Sequence, residues 1–336
     1  MIRLANLNTY KLRLDQRGTP EWQARVTTIC QINADILGLQ EIRVDEENDP
    51  DTWNEEAAEA IQLLADDCGL TATAIDNRGR ERTAMANNAH RGWYTAQLWR
   101  PGTVSCIRGS YRPYGAPDFW HGVTTAAFDI GAAESFTTAV YHGDPFRPQF
   151  RADEALRLKG IFRRTGGAKP GAIIGDFNGL SAANIAGPDG QLHYYDPEPY
   201  LGQDHDDLEY QLLPGTIGGA QLADRRGAEA LLRKGYMVDA AAHLDVAWQP
   251  TVGHWTDGEG DPDPWGSRRI DLILVSRPVA PALIAYGTNR SAAASRAADH
   301  LPIYTDLDPD LMSREFAIAE GPTGRNSQSD AVGGQG

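Results

Sequence analysis

Short apolar runs recur along this chain, and several of them begin or stop at polar residues that a buried strand would not otherwise tolerate. Asp35-Ile36-Leu37-Gly38-Leu39 runs into Gln40-Glu41, and Ala172-Ile173-Ile174 runs into Gly175-Asp176-Phe177-Asn178. Arg269-Ile270-Asp271 leads into Leu272-Ile273-Leu274-Val275, and Asp299-His300 precedes Ile303–Leu307. Continuous apolar runs of this length suit strands covered on both faces. A sheet built from them needs a layer above and a layer below.

Helical signals alternate with these strands. Thr19-Pro20-Glu21 supplies a capping hydroxyl, proline at the first helical position and an acid in the first turn. Trp22, Val26 and Ile29 follow at helical spacing. Ala57, Ile61 and Leu64 predict a second helix over 52–67, and further helices are predicted over 150–163 and 222–234. Strand signals pair up elsewhere, so the expected class is α/β: two sheets packed face to face with helices outside. No composition break splits residues 1–310, which are expected to form one catalytic domain. Periodicity fades over 180–216, an expected irregular insertion, and residues 320–336 have the composition of a disordered tail.

A chain of 336 residues with 41% apolar content can bury a large core without covalent staples. Cys30, Cys68 and Cys106 lack metal-ligand spacing and are expected to be reduced core residues. The opening Met-Ile-Arg-Leu-Ala is already strand-like, with no leader pattern, and no apolar run approaches the roughly 18 residues of a membrane span. The expected compartment is the cytoplasm, with no membrane partner. A net charge of −15 argues against a surface dominated by a basic groove for nucleic acid, although a local patch with a bound cation would offset it.

The polar strand ends carry the chemistry. Glu41 has no core role just past a buried strand; it is either a surface carboxylate or a ligand for a hard cation such as Mg²⁺. Asp176 and Asn178 alternate about Phe177 and would share a side, the acid to orient or deprotonate water and the amide to meet a phosphate oxygen. Asp271 opens an apolar strand, where an acid is costly unless paired; its partner is either an arginine or the imidazole of His300, beside Asp299. Asn8 ends the first strand and His142 another. Each alone could be a turn residue, but together they are six strand ends with one chemistry. The chain has no phosphate-binding loop of the Gly-rich Lys-Ser/Thr type, no nucleophile-elbow serine and no zinc spacing.

The ordered set Asn8, Leu39-Gln40-Glu41, His142, Gly175-Asp176-Phe177-Asn178, Arg269-Ile270-Asp271 and Asp299-His300 resembles the endonuclease/exonuclease/phosphatase superfamily of DNase I-like phosphoesterases over about residues 1–308. The resemblance implies a four-layer α/β-sandwich, two packed mixed β-sheets flanked by helices. It also implies Mg²⁺ or Mn²⁺ and in-line attack of water on a phosphoester. By position, Glu41 would bind metal with Asn8 nearby and Asp299 in support. Asp176 would position water, Asn178 would hold phosphate, Asp271 would pair with His300, and His142 would contact phosphate or leaving group. Arg269, Tyr94 and His205 are the candidates for substrate binding. Ala298 stands where the family usually has serine, and the second acid of some nucleases has no equivalent. The expected substrate is a nucleic acid or a small phosphorylated metabolite; the alternative is a chain that keeps the fold and binds without catalysis. Oligomeric state is not legible in these motifs.

Overall fold

The computed structural model describes residues 1–204, 206–216, 219–256 and 263–313. Among the described residues, thirteen strands form the two main sheets. In chain order they are β1 (Ile2–Leu12), β2 (Ile36–Arg43), β3 (Met85–Ala86), β4 (Trp93–Trp99), β5 (Ser105–Cys106), β6 (Arg112–Tyr114) and β7 (Val123–Asp129). They continue with β8 (Phe136–His142), β9 (Gly171–Asp176), β10 (Met237–Asp239), β11 (Asp271–Ser276), β12 (Leu283–Thr288) and β13 (Ile303–Leu307). The first sheet has the order β12-β13-β1-β2-β4-β3, and the second β10-β11-β9-β8-β7-β5, with β6 also on β7. Each sheet holds one parallel pair at its centre, β1 with β2 and β8 with β9, and antiparallel neighbours around it.

Alternation sorts the side chains into layers. Leu4, Ile36 and Ile303 of the first sheet pack with Phe128, Ile174 and Ile273 of the second between the sheets. Leu37 and Leu39 point the other way, under α1 (Pro20–Ile32) and α2 (Trp53–Asp67). Tyr141, Ile173 and Leu272 do the same under α3 (Pro148–Ile161) and α4 (Arg226–Leu232). The result is the expected four-layer sandwich. The helix starts follow their sequence signals: Thr19 Oγ1 accepts from Trp22 N at 3.3 Å ahead of Pro20, and α1 stops at Asn33, whose φ of 55° is left-handed. The predicted helix over 222–234 is shorter, because Arg225 turns inward to bind Ser181 and Asp196 carbonyls. Only Cys68 of the three free cysteines is buried; Cys30 faces out from α1.

The inner layer changes character along its length. Ile2 and Leu4 of β1 give way to Asn6 and Asn8 on the same face; Ile36 of β2 gives way to Gln40, and Ile174 of β9 to Asp176. Strands of the parallel pairs end on this rim, and the antiparallel β11 begins there with Asp271. Strand register then sets His142 beside Asp176 and Asp176 beside Asp271. Close approach is required here: a Cβ on Gly175 would run into the Tyr141 carbonyl oxygen of β8. Gly175→Ala is expected to cost about 2–3 kcal/mol by overpacking, read as a melting temperature lowered by about 5 °C or more. Activity should fall with it, because His142 and Asp176 each lie one residue on.

The segment over 180–216 is not featureless. It carries a hairpin of Asn184–Ala186 with Leu192–Tyr194 and a short helical turn, Asp206–Tyr210. Its own apolar cluster includes Leu180, Tyr200, Leu208 and Leu212, packed against Val252 and Ile270. The tail over 320–336 lies outside the described residues. Among the described residues, no helix is long and apolar enough to cross a membrane.

Candidate active site

One oxygen of Asp176 is the meeting point of the rim. Asn8 Nδ2 donates to Asp176 Oδ2 at 3.1 Å, while His142 Nε2 lies 3.5 Å and His300 Nε2 3.8 Å from the same atom. The other oxygen, Oδ1, accepts the Asn178 backbone N–H at 2.8 Å. Asn8 Nδ2 also reaches Glu41 Oε1 at 3.2 Å. His300 Nδ1 bonds Asp271 Oδ2 at 2.8 Å, leaving Nε2 to face Asp176. Asp271 is fixed from behind by Asn6 Nδ2 at 2.9 Å, and Asn6 in turn by Gln40 Nε2 at 2.8 Å. This chain of amides ties the first sheet to the second at the site.

The backbone is strained around the same residues. Glu41 has φ 58°, Asn178 47°, Tyr10 48° and Lys11 59°. Both β1 and β2 shift register here, between Asn8 and Leu12 and between Leu39 and Ile42. Bulges and left-handed non-glycine residues persist where the surroundings hold them, and they re-aim side chains. Here they turn Glu41 off its strand face and into the rim.

Four carboxylates, Glu41, Asp176, Asp271 and Asp299, crowd around His300. Burial, together with Asp176, pushes the Glu41 carboxyl up. Burial and the neighbouring acids push Asp299 up to about 6. His300 is pulled well above the ordinary histidine range by Asp271, Asp176 and Asp299, against its burial. His142 goes the other way, to about 4, because burial outweighs Asp176. Two imidazoles thus flank one carboxylate, one held as imidazolium and the other neutral. Such a split assigns separate proton roles to like groups.

Glu41 Oε2 and Asp299 Oδ1 are buried without a hydrogen-bond partner among the described residues. Unpaired carboxylate oxygens in a crowd of like charge are a fit for a divalent cation. Among the described residues, no three His, Cys, Asp or Glu side chains converge closely enough to hold a metal by themselves. A hard cation such as Mg²⁺ takes only one or two protein carboxylates and keeps several waters.

A cleft of about 830 Å³ opens over Asn178, Asp299 and His300. Its walls carry Tyr10, Phe146, Tyr210, Trp255 and Trp265, with Arg268 tied to Asp263 at 2.9 Å. Tyr10 comes from the bulged end of β1, Phe146 from the loop after β8, Tyr210 from the 180–216 segment, and Trp255 and Trp265 from the chain before β11.

The structure gathers Asn8, Glu41, His142, Asp176, Asn178, Asp271, Asp299 and His300 on the rim. Two substrate-binding expectations need correction. Arg269 is 1% exposed and bound to Asp196 and Asp239, both at 2.7 Å, so it cannot reach a substrate. Alternation along β11's leading residues turns it away from the cleft that its neighbour Arg268 lines. Tyr94 sits on the outer face of β4 with Ala96 and Leu98, beneath α2, and donates to Asn54 Oδ1 at 3.1 Å. His205 lies outside the described residues. Sequence reasoning missed Asn6 and Gln40 as supports of Asp271, and His121. The polar residues on the inner face of β1 and β2 were the available signal for the first two.

The sequence matches no protein-family model and no curated protein. Solved structures match the fold. An endonuclease/exonuclease/phosphatase from Bacteroides vulgatus is 16% identical, covering 91% of this chain and 98% of that one, with a TM-score of 0.55. A mannosyl-6-phosphatase from Bacteroides thetaiotaomicron VPI-5482 is 15% identical over 92% of this chain and 100% of that one, with a TM-score of 0.53. D. rerio TDP2, complexed with single strand DNA product, is 12% identical over 91% and 98%, with a TM-score of 0.52. The chain has the DNase I-like fold of the endonuclease/exonuclease/phosphatase proteins.

Proposed function

We propose that this chain is a divalent-metal-assisted hydrolase of phosphoesters, acting on a compact phosphorylated molecule. The observation that carries the reading is the convergence of Asn8, His142 and His300 on Asp176 Oδ2, beside the unpaired oxygens of Glu41 and Asp299. Glu41, with Asn8 and Asp299, would hold Mg²⁺ or Mn²⁺. The ion's charge would offset negative charge that develops on the phosphoryl group.

The chain's own residues do the rest. Asp176 accepts the proton of the attacking water and holds that water in line. His300, kept protonated by Asp271, donates from Nε2 to a phosphoryl oxygen. His142, neutral, offers a second ring nitrogen toward the leaving oxygen. Asn178 gives one amide hydrogen to the Gly143 carbonyl at 3.1 Å and keeps the other for phosphate.

The cleft supports a compact substrate. Asp207 and Asp263 line its mouth, and Arg268, the one arginine or lysine among the described lining residues, is already engaged with Asp263. A polyanionic strand crossing that mouth would meet carboxylates, whereas one phosphate on an uncharged ring would meet aromatic faces. Of the structural neighbours, one is named a phosphatase of a phosphorylated sugar.

The test is hydrolysis of p-nitrophenyl phosphate and bis-p-nitrophenyl phosphate with and without Mg²⁺, followed by sugar phosphates, inositol phosphates, plasmid DNA, single-stranded DNA and RNA. Turnover is expected to vanish in EDTA and return with Mg²⁺, and Mg²⁺ is expected to raise the melting temperature. Metal-independent turnover, or none at all with no thermal shift, would sink the reading. Faster cleavage of DNA than of any small ester would overturn the substrate class alone.

A further inference from the structure

His121 lies just ahead of β7, and its ring stacks on that of His142 with centroids 3.9 Å apart and planes only 6° from parallel. It is 6% exposed, and neither ring nitrogen has a hydrogen-bond partner among the described residues. A buried imidazole with both nitrogens unsatisfied is costly, and a native fold that retains one has a use for it.

The surroundings hold the two rings in register. Buried Glu154 of α3 accepts the Trp120 backbone N–H at 2.7 Å, next to His121, and the Asp144 N–H at 3.2 Å, two residues past His142. Tyr141 O–H, adjacent to His142, donates to the same carboxylate at 2.6 Å. One carboxylate therefore clamps both backbones. On the far side of His121, Gly122 has φ 104°, and a Cβ there would meet the Asn87 backbone at 2.9 Å, so the turn is wedged in place. Trp93 and Trp120 flank the ring at 6.1 and 6.4 Å.

We propose that His121 is a positioning residue whose ring face fixes the plane of the His142 imidazole, and so aims His142 Nε2 at Asp176 and the substrate. The contact is through the face, because the nitrogens of His121 are sealed from the cleft. The proposal rests on the role given to His142 above. Alignment of a reacting group within a few tenths of an ångström is worth a large factor in rate.

Three variants test it. His121→Ala removes the face and is expected to lower kcat at least about tenfold with KM changed less than about twofold. His121→Phe keeps a flat face, removes the unpaired nitrogens, and is expected to restore kcat to within about threefold of the parent while melting a few degrees higher. That stabilisation should be larger at pH 5.5 than at pH 8. Burial, with His142 and Arg91 beside it, keeps His121 neutral, whereas the unfolded chain's histidine takes up a proton below about 6.5 and so favours unfolding of the parent. A readout without turnover is the ring-proton NMR signal of His142, assigned by its loss in His142→Gln. It should be displaced by ring stacking in the parent and in His121→Phe, and relax toward the free-histidine position in His121→Ala.

Parent-like kcat in His121→Ala would overturn the proposal. So would His121→Phe being as impaired as His121→Ala, since the nitrogens and not the face would then matter. If the parent itself shows no hydrolysis, the phosphoesterase reading fails, and the NMR signal alone decides the stacking role: an unmoved His142 signal in His121→Ala refutes it.

Discussion

Asp176→Asn is expected to lower kcat by about a thousandfold while leaving the melting temperature within a few degrees of the parent. The carboxamide keeps the size and one acceptor of the carboxylate, so the Asn178 N–H bond to this side chain at 2.8 Å can survive. What is lost is the proton acceptor, the oxygen that accepts from Asn8 Nδ2 at 3.1 Å, and the charge that faces two imidazoles, and removal of a general base or an electrostatic contact of this kind typically costs 10²–10⁴ in rate. Stability is buffered because Asp176 also repels Glu41 and Asp299, both of which it pushes up. A neutral group at this point relieves that repulsion while forfeiting attraction to His300, two effects of opposite sign. His300→Ala should be similarly inactive yet less stable, since it leaves Asp271 buried without its imidazole. The two together should cost little more than either alone, because groups that act as a unit are not additive. Near-parental turnover by Asp176→Asn would remove the hub from the mechanism.

The parts of the site legible in the sequence are those where burial and polarity conflict over a few neighbouring residues. Gly175-Asp176-Phe177-Asn178 after Ile173-Ile174, and Asp271 ahead of Leu272, violate the strand pattern, and the conflict is resolved on a shared rim. Thr19-Pro20-Glu21 fixed a helix start for a similarly local reason, the unsatisfied N–H groups of the first turn. What stayed hidden depends on long-range geometry. Nothing near Trp93-Tyr94 says which face of β4 will lie under a helix, so Tyr94 read as a site residue when it is core. Nothing near Trp120-His121 signals a partner twenty-one residues on; the stack arises because β7 and β8 pair antiparallel while Glu154 reaches across from α3. The 180–216 segment was legible as a lining of the mouth, but which of its residues face inward was not, because irregular chain has no period to betray its faces.

Arg269→Ala is expected to be the most damaging substitution to stability outside the apolar core, at roughly 3–5 kcal/mol. The sequence puts Arg268 and Arg269 side by side before Asp271, and only the fold separates their fates. Arg268 lines the cleft, whereas Arg269 is enclosed by Asp196 from the irregular segment and Asp239 at the end of β10. Its Nε donates to Asp196 Oδ1 at 2.7 Å and its Nη2 to Asp239 Oδ2 at 2.7 Å, with the guanidinium 4.9 Å from the centre of the Tyr195 ring. The two acids hold the guanidinium's proton more tightly than in water, so it stays charged at any working pH. Removing it strands two carboxylates that also anchor backbone: Asp196 accepts Ser181 N at 2.8 Å, and Asp239 caps Ala240–His243 through Ala241 N at 3.0 Å. Loss of the arginine therefore loosens the irregular segment and the end of β10 together, and the melting temperature should fall by about 10 °C or more. Activity should fall as well, since Asp271 is two residues along. Neutralising the acids separates the causes: Arg269→Met with Asp196→Asn and Asp239→Asn leaves no buried charge and should recover most of the lost stability. A melting temperature unchanged in Arg269→Ala would mean that water reaches the two carboxylates, and the buried triad would not be what joins the segment to the sheet.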